Sequence, residues 1–332
     1  MRLALFFMFL LCSFPSWSGT EPAVLELIDA AKAGDIAKMR QLFAKGVDVN
    51  GRDYATTALD RAIAAKQTAA VKLLLETGAN PNSPSAQSTP LYLAAAFAGV
   101  PDIVDLLLKH GADPNLALAQ AWQAISLPQP GRKDTVLDTP LHGLAWRALY
   151  SQTPEADQLA VARLLISAGA RVDQLNANGS TPLRNAINQN QVGLAKIFLE
   201  AGADPNRVTE IKYVDFEYGE TPLLHAIATY RGDLSMVQLL LDHGANINYR
   251  NDRPYFDGPP NHDTEWNGIS PLILASESGH LDVVKLLIKR GANPCIKRTD
   301  GASPFEIAVK AEQPKIAELL KIHMQEKGCS PP

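Results

Sequence analysis

The chain has 332 residues, of which 46% are hydrophobic and 20% charged, with a formal net charge of −4 and an isoelectric point near 6.0. That is ordinary globular composition, with no long low-complexity tract. Lys and Arg are scattered through a mildly acidic chain, so neither nucleic acid nor an anionic membrane is an expected partner.

Residues 1–18 stand apart. Arg2 is their only charge, Leu3 to Cys12 is an almost unbroken apolar run, and Ser16-Trp17-Ser18 offers small residues for a processing enzyme. This reads as a secretory signal peptide cut near Ser18 or Gly19. The apolar run is about ten residues, too short for a bilayer ~30 Å thick. No later segment is long and apolar enough to span one, so no membrane attachment is expected after cleavage. Cys12 leaves with the signal. Cys295 and Cys329 stay, and export would place them in an oxidising compartment.

Glu21 to Asn50 carries two helical patterns, split at Gly34-Asp35 and closed at Gly46. The stretch Thr89 to Asn115 shows a fuller unit. Thr89 is an N-cap and Pro90 the first helical residue, where the missing N–H costs nothing. Leu91, Ala94 and Ala95 share a face, and Gly99 breaks the helix. Ile103, Val104, Leu106, Leu107 and Leu108 form the apolar face of a second helix, which Gly111 ends with a positive φ. A unit this short cannot bury its own apolar face and needs neighbours.

The chain supplies them. Thr57, Thr89, Thr139, Thr181, Thr221, Ser270 and Ser303 each open such a unit, reading TALDRA, TPLYLA, TPLHGL, TPLRNA, TPLLHA, SPLILA and SPFEIA. Closures on Gly-Ala fall at Gly78, Gly111, Gly169, Gly202, Gly244 and Gly291. Lys315 to Lys327 keeps Ile316, Leu319, Leu320 and Ile322 but lacks that stop, with Met324 in the glycine's place.

This pattern resembles the ankyrin repeat family, whose signature is T-P-L-H-x-A on a period of 33 residues. The resemblance implies an all-α solenoid of about eight helix–turn–helix repeats, each followed by a hairpin-like finger. After the signal peptide of residues 1–18 it implies a single ankyrin repeat domain over 19–332. The N-terminal cap repeat is 21–50, and internal repeats are 51–82, 83–115, 116–173, 174–206, 207–248 and 249–295. The C-terminal cap repeat is 296–327, with a tail of 328–332. The family's His is matched only at His142; Asp60, Tyr92, Arg184, Leu224, Ile273 and Glu306 hold its place elsewhere. The ring's side-chain bond is therefore not expected in most repeats.

Start-to-start spacings are 32, 50, 42, 40, 49 and 33 residues, so the middle repeats are enlarged. Leu116 to Asp138, Arg207 to Glu220 and Tyr249 to Ile269 are long fingers, and Trp146 to Asp157 lengthens a turn between helices. Insertions that share one edge often mark a binding face. The aromatics there are the expected partner-binding residues: Trp122, Tyr213, Phe216, Tyr218, Tyr255, Phe256 and Trp266. The same rings could instead fold inward as core.

Catalytic motifs are absent: no G-x-S-x-G, Walker A loop, H-E-x-x-H or Rossmann glycine pattern occurs. His110 and His243 stand just before closing glycines, where a helix C-terminus favours a cation. Asp252, Asp257, His262, Asp263 and Glu265 gather in one finger but match no metal-loop spacing, and read as a solvated acidic finger. No metal or other cofactor is expected. Cys295 and Cys329 lie at equivalent points one repeat apart, roughly 10 Å by helix packing distances. The flexible tail could close that gap to the ~7 Å a disulfide tolerates, so a staple on the C-terminal cap is expected.

The expected function is a monomeric, non-enzymatic scaffold, periplasmic or secreted, that binds one protein partner through its concave face and long fingers. The exported bacterial ankyrin proteins it resembles imply two narrower roles, support of a periplasmic oxidative-stress enzyme and neutralisation of a secreted antibacterial effector as an immunity protein. A separate expectation is a secreted effector that acts on host proteins.

Overall fold

The computed structural model describes residues 21–54, 56–83, 88–117, 138–147, 153–176, 178–212, 217–229, 232–251 and 268–329. Helices come in pairs: α1 (Pro22–Ala33) with α2 (Ile36–Ala44), then α3 (Ala58–Ala64) with α4 (Thr68–Glu76). Next, α5 (Pro90–Leu93) runs into a π-helical segment, Ala94–Ala98, and pairs with α6 (Pro101–Lys109). The following pairs are α7 (Pro140–Arg147) with α8 (Glu155–Ser167) and α9 (Pro182–Asn188) with α10 (Val192–Glu200). The last three are α11 (Pro222–Ala228) with α12 (Ser235–Asp242), α13 (Pro271–Glu277) with α14 (Leu281–Lys289), and α15 (Pro304–Lys310) with α16 (Pro314–Glu326). Among the described residues, four short strands form two antiparallel pairs: β1 (Arg52–Asp53) with β2 (Thr56–Thr57), and β3 (Thr209–Lys212) with β4 (Glu217–Glu220).

The chain divides into two compact units, residues 1–80 and 81–332. In the first, α1 packs on α3 and α2 on α4. In the second, the leading helices α5, α7, α9, α11, α13 and α15 pack side by side in that order. The second helices form another layer, α6 on α8 on α10 on α12, and α14 on α16. The core lies between the layers, where Ile103, Val104, Leu107, Leu165, Phe198, Leu240, Val284 and Leu287 are wholly buried.

The helix entries follow from the Thr/Ser-Pro signal. The hydroxyls of Thr89, Thr181, Thr221, Ser270 and Ser303 each accept a bond from the N–H three residues on, and proline follows each. Thr57 caps α3 the same way without the proline. Among the described residues the turn between helices holds a left-handed residue in seven pairs, at Gly34, at Gly232 and at the five positions that follow. Lys66, Asn190, Gly279 and Glu312 provide it nine residues after their cap, whereas Gly99 comes ten after Thr89. The π-helical segment absorbs that extra residue by widening one turn.

One sequence expectation is corrected. Of the five residues expected on the apolar face of α6, Ile103, Val104 and Leu107 are buried, whereas Leu106 and Leu108 are only half-buried. Met324 stands in the closing glycine's place, as the sequence indicates. It is buried within α16, which runs one turn further and stops at Gly328, φ 67°.

The fingers are joined by a repeating side-chain device. Asn50, Asn82, Asn115 and Asn206 each donate their carboxamide to the closing glycine's carbonyl in the next repeat, at 3.2, 2.8, 3.0 and 3.0 Å on Gly78, Gly111, Gly169 and Gly244. Their carboxamide oxygens accept from the N–H two residues past that glycine, on Asn80, Asp113, Arg171 and Asn246. Asn248 accepts likewise from Asn293. Each rung with both bonds satisfies one carbonyl and one N–H of the turn that follows a second helix.

Asp173 breaks the series. Its carboxylate accepts from Asp204 N–H at 3.1 Å but has no hydrogen to give the Gly202 carbonyl. Burial pushes the carboxyl above its ordinary value, so ionising it here carries a cost. Asp173→Asn is expected to stabilise the protein by about 0.5–1.5 kcal/mol, the net worth of one hydrogen bond. A urea denaturation midpoint that fails to rise would show that water already satisfies Gly202.

Candidate interaction surface

Most of the expected partner-binding rings, Trp122, Tyr213, Phe216, Tyr255, Phe256 and Trp266, lie outside the described residues, as does the acidic cluster from Asp252 to Glu265. Tyr218 falls in β4, directly opposite Ile211 of β3. The Arg207–Glu220 finger is thus an antiparallel hairpin, its base set by the pairing of Thr209 with Glu220. Among the described residues, no three metal-ligating side chains converge.

That base holds a buried polar cluster. Glu220 is 3% exposed, and its Oε1 accepts from Arg184 Nε at 3.2 Å, from Arg184 Nη2, and from His225 Nδ1 at 2.8 Å. Burial alone would raise the carboxyl; His225 and Arg184 together outweigh it and hold it below its ordinary value. Arg184 occupies the family His position and reaches the residue just ahead of the next cap. His142 does the equivalent with its ring: Nε2 lies 3.0 Å from the Ser180 carbonyl and must donate. Nδ1 then accepts from the Thr139 hydroxyl at 2.8 Å. Burial keeps this imidazole below its ordinary pKa, and so neutral. Elsewhere Asp60 and Glu306 fold back on their own caps as capping boxes. The bond expected at His142 alone is therefore replaced by other chemistry in three further repeats.

His110, His243 and His323 make one recurring contact. Each Nδ1 lies 2.8–2.9 Å from the carbonyl four residues earlier, which it can bond only as a donor. These imidazoles serve helix ends, as the position of His110 and His243 suggested.

The leading-helix row presents two aromatics that sequence reasoning passed over as site residues. Phe97 is 41% exposed and Trp146 is 45% exposed, on helices that pack directly together. Trp146 stands seven residues after its cap. Phe97 stands eight after Thr89, and the widened π turn restores it to the same register. The corresponding positions in later repeats are Asn188, Ala228, Glu277 and Lys310, none of them apolar and large. Phe97 also leans on buried Tyr92, ring centroids 6.3 Å apart. Tyr92 in turn lies against the backbone of α7, where a Cβ on Gly143 would stand 2.6 Å from its ring. In the first unit, Tyr54 at the tip of the β1–β2 hairpin is 94% exposed. The available signal for Phe97 was the one-residue excess between Thr89 and Gly99.

Cys295 and Cys329 come together, their Cα atoms 5.4 Å apart and within disulfide range. The route differs from the expected one. Gly328 being the true stop, Cys329 occupies the place of Ala292, and its N–H bonds Met324 O at 2.9 Å as Ala292 N–H bonds Leu287 O. The pair are not equivalent points one repeat apart.

A family model for ankyrin repeats, in three copies, matches residues 27–117, 151–251 and 256–330. The mouse B-cell lymphoma 3 protein homolog is 31% identical over 222 residues, which is 67% of this chain and 40% of that protein. An Arabidopsis thaliana E3 ubiquitin-protein ligase, KEG, is 28% identical over 64% of this chain and 12% of its own length. The chain thus spans well under half the length of these relatives. The crystal structure of the human ASB11 ankyrin repeat domain superposes with a TM-score of 0.56 at 25% identity, over 81% of this chain and 98% of that one.

Proposed function

Because the chain belongs to the ankyrin repeat family, we propose that it is a non-enzymatic scaffold that grips one protein partner through the leading-helix face and the long fingers. The observation that carries this is the adjacent pair Phe97 and Trp146, large exposed rings at a helix position held by small or polar residues in the later repeats. Aromatics pre-positioned on packed helices bury area on binding at little entropic cost, which is why they concentrate at hot spots. The finger aromatics Trp122, Tyr213, Phe216, Tyr218, Tyr255, Phe256 and Trp266 extend that surface. The signal-like first 18 residues support export, to the periplasm or beyond. Within that reading the partner is a periplasmic oxidative-stress enzyme, a secreted antibacterial effector, or a host protein.

Capture from periplasmic extract on the immobilised chain, read by mass spectrometry, separates these classes. Replacing Phe97 and Trp146 together with Ala is expected to lower capture about tenfold or more while moving the melting temperature little. A second variant replaces Trp122, Phe216, Tyr255, Phe256 and Trp266 and is expected to do the same. Unchanged capture with both variants overturns the surface; lost helicity in the second assigns its rings to the core.

A further inference from the structure

The C-terminal repeat lacks the carboxamide rung that joins the other repeats, the Asp173 junction excepted. Asn50, Asn82, Asn115, Asn206 and Asn248 hold the rung position, and the same position before the last repeat is Cys295. Its backbone is unchanged by the exchange. Cys295 N–H bonds the Asn293 side chain at 2.9 Å, just as Asn115 N–H bonds Asp113 at 2.8 Å and Asn206 N–H bonds Asp204 at 2.8 Å. A rung carboxamide reaches the closing glycine of the next repeat. Cys329 is the residue directly after that glycine, Gly328, so the rung geometry itself delivers Cys295 to Cys329. Both cysteines are half-buried, within reach of small thiol reagents.

We propose that the Cys295–Cys329 disulfide is a covalent rung standing in for the missing amide, so that docking of the α15–α16 repeat on α13–α14 depends on redox state. A thiol lacks the paired donor and acceptor of a carboxamide, and on reduction nothing replaces the bond at this position. The step balances by thiol–disulfide exchange with a small-molecule disulfide. One cysteine thiolate attacks it and expels one small thiolate. The second thiolate then attacks the mixed disulfide, closing Cys295–Cys329 and expelling the other. The two thiol protons end on the two released thiols.

The test uses the full chain, oxidised with glutathione disulfide or reduced with dithiothreitol, and reads amide hydrogen exchange across α16. Thiol titration under denaturing conditions after oxidation should find neither Cys295 nor Cys329 free. Reduction should speed exchange at Ile316, Ala317, Leu320 and Met324 about tenfold or more while leaving α9 and α10 unchanged. The variant Cys295→Ala with Cys329→Ala should exchange like the reduced protein in either condition. Cys295→Asn with Cys329→Ala restores the amide at the rung and an alanine where Ala292 stands one repeat earlier. It should exchange more slowly than the double-alanine variant, whatever the redox state. Two titratable thiols after oxidation, equal α16 exchange in oxidised and reduced protein, or no rescue by Cys295→Asn would each overturn the proposal.

Discussion

Glu220→Ala is expected to destabilise the protein by about 3–5 kcal/mol, because removing one member of a buried ion pair leaves its partner's charge uncompensated. Glu220 is almost wholly enclosed, Arg184 and His225 are 16% and 10% exposed, and both direct their donors at the same Oε1. The cluster also ties the β3–β4 finger to two leading helices, since the Thr209 hydroxyl donates to the Glu220 carbonyl at 3.3 Å. Loss of the carboxylate should therefore loosen the finger as well as the stack. Replacing both ionic partners with apolar residues, Glu220→Leu with Arg184→Met, should recover much of the loss, because the desolvation cost goes with the charges. The carboxyl is held below its ordinary 4.5, so the stability it contributes is present above that pH and is lost as the pH falls through the lower folded value. Chemical denaturation followed by circular dichroism measures both effects. A Glu220→Ala loss below about 1 kcal/mol would mean that the cluster behaves as a solvated surface pair.

Leu287→Ala and Leu107→Ala should each cost about 2–5 kcal/mol, the range for emptying a fully buried leucine site. Both side chains are wholly enclosed between the helix layers. Leu106, next to Leu107 but only half-buried, should cost about 1 kcal/mol on truncation to Ala. The contrast between Leu106 and Leu107 tests the placement of the α6 face directly, since equal losses would mean that the helix is rotated from the position described.

The repeat architecture was legible because it is local and reiterated. A cap hydroxyl, a proline at the first helical position and a glycine at the stop each act within a few residues. Their repetition made the helix pairs readable one by one. Single positions were harder. Five apolar residues in α6 cannot all face the core at 3.6 residues per turn, and only the packing of α8 against α6 decides that Leu107 goes in while Leu106 stays at the margin. The end of α16 shows the same limit: Met324 aligns with a glycine, yet a buried methionine can prolong the helix to Gly328.

The sequence by itself determined the number and order of the helix pairs, their caps and every stop but that of α16, since these depend on residues within a turn of each other. It also placed asparagine at five of the seven rung positions, with Asp173 and Cys295 at the other two, without saying what those residues do. Tertiary structure alone decided the rest. The Asn rungs, the Arg184–Glu220–His225 cluster, the register of Phe97 with Trp146 and the meeting of Cys295 with Cys329 all join residues at least 28 positions apart, except for the local Glu220–His225 contact. Such contacts depend on how one repeat rests on the next. That is fixed by layer packing, which no local pattern encodes, and by a single π-helical turn, whose one local trace is the extra residue between Thr89 and Gly99.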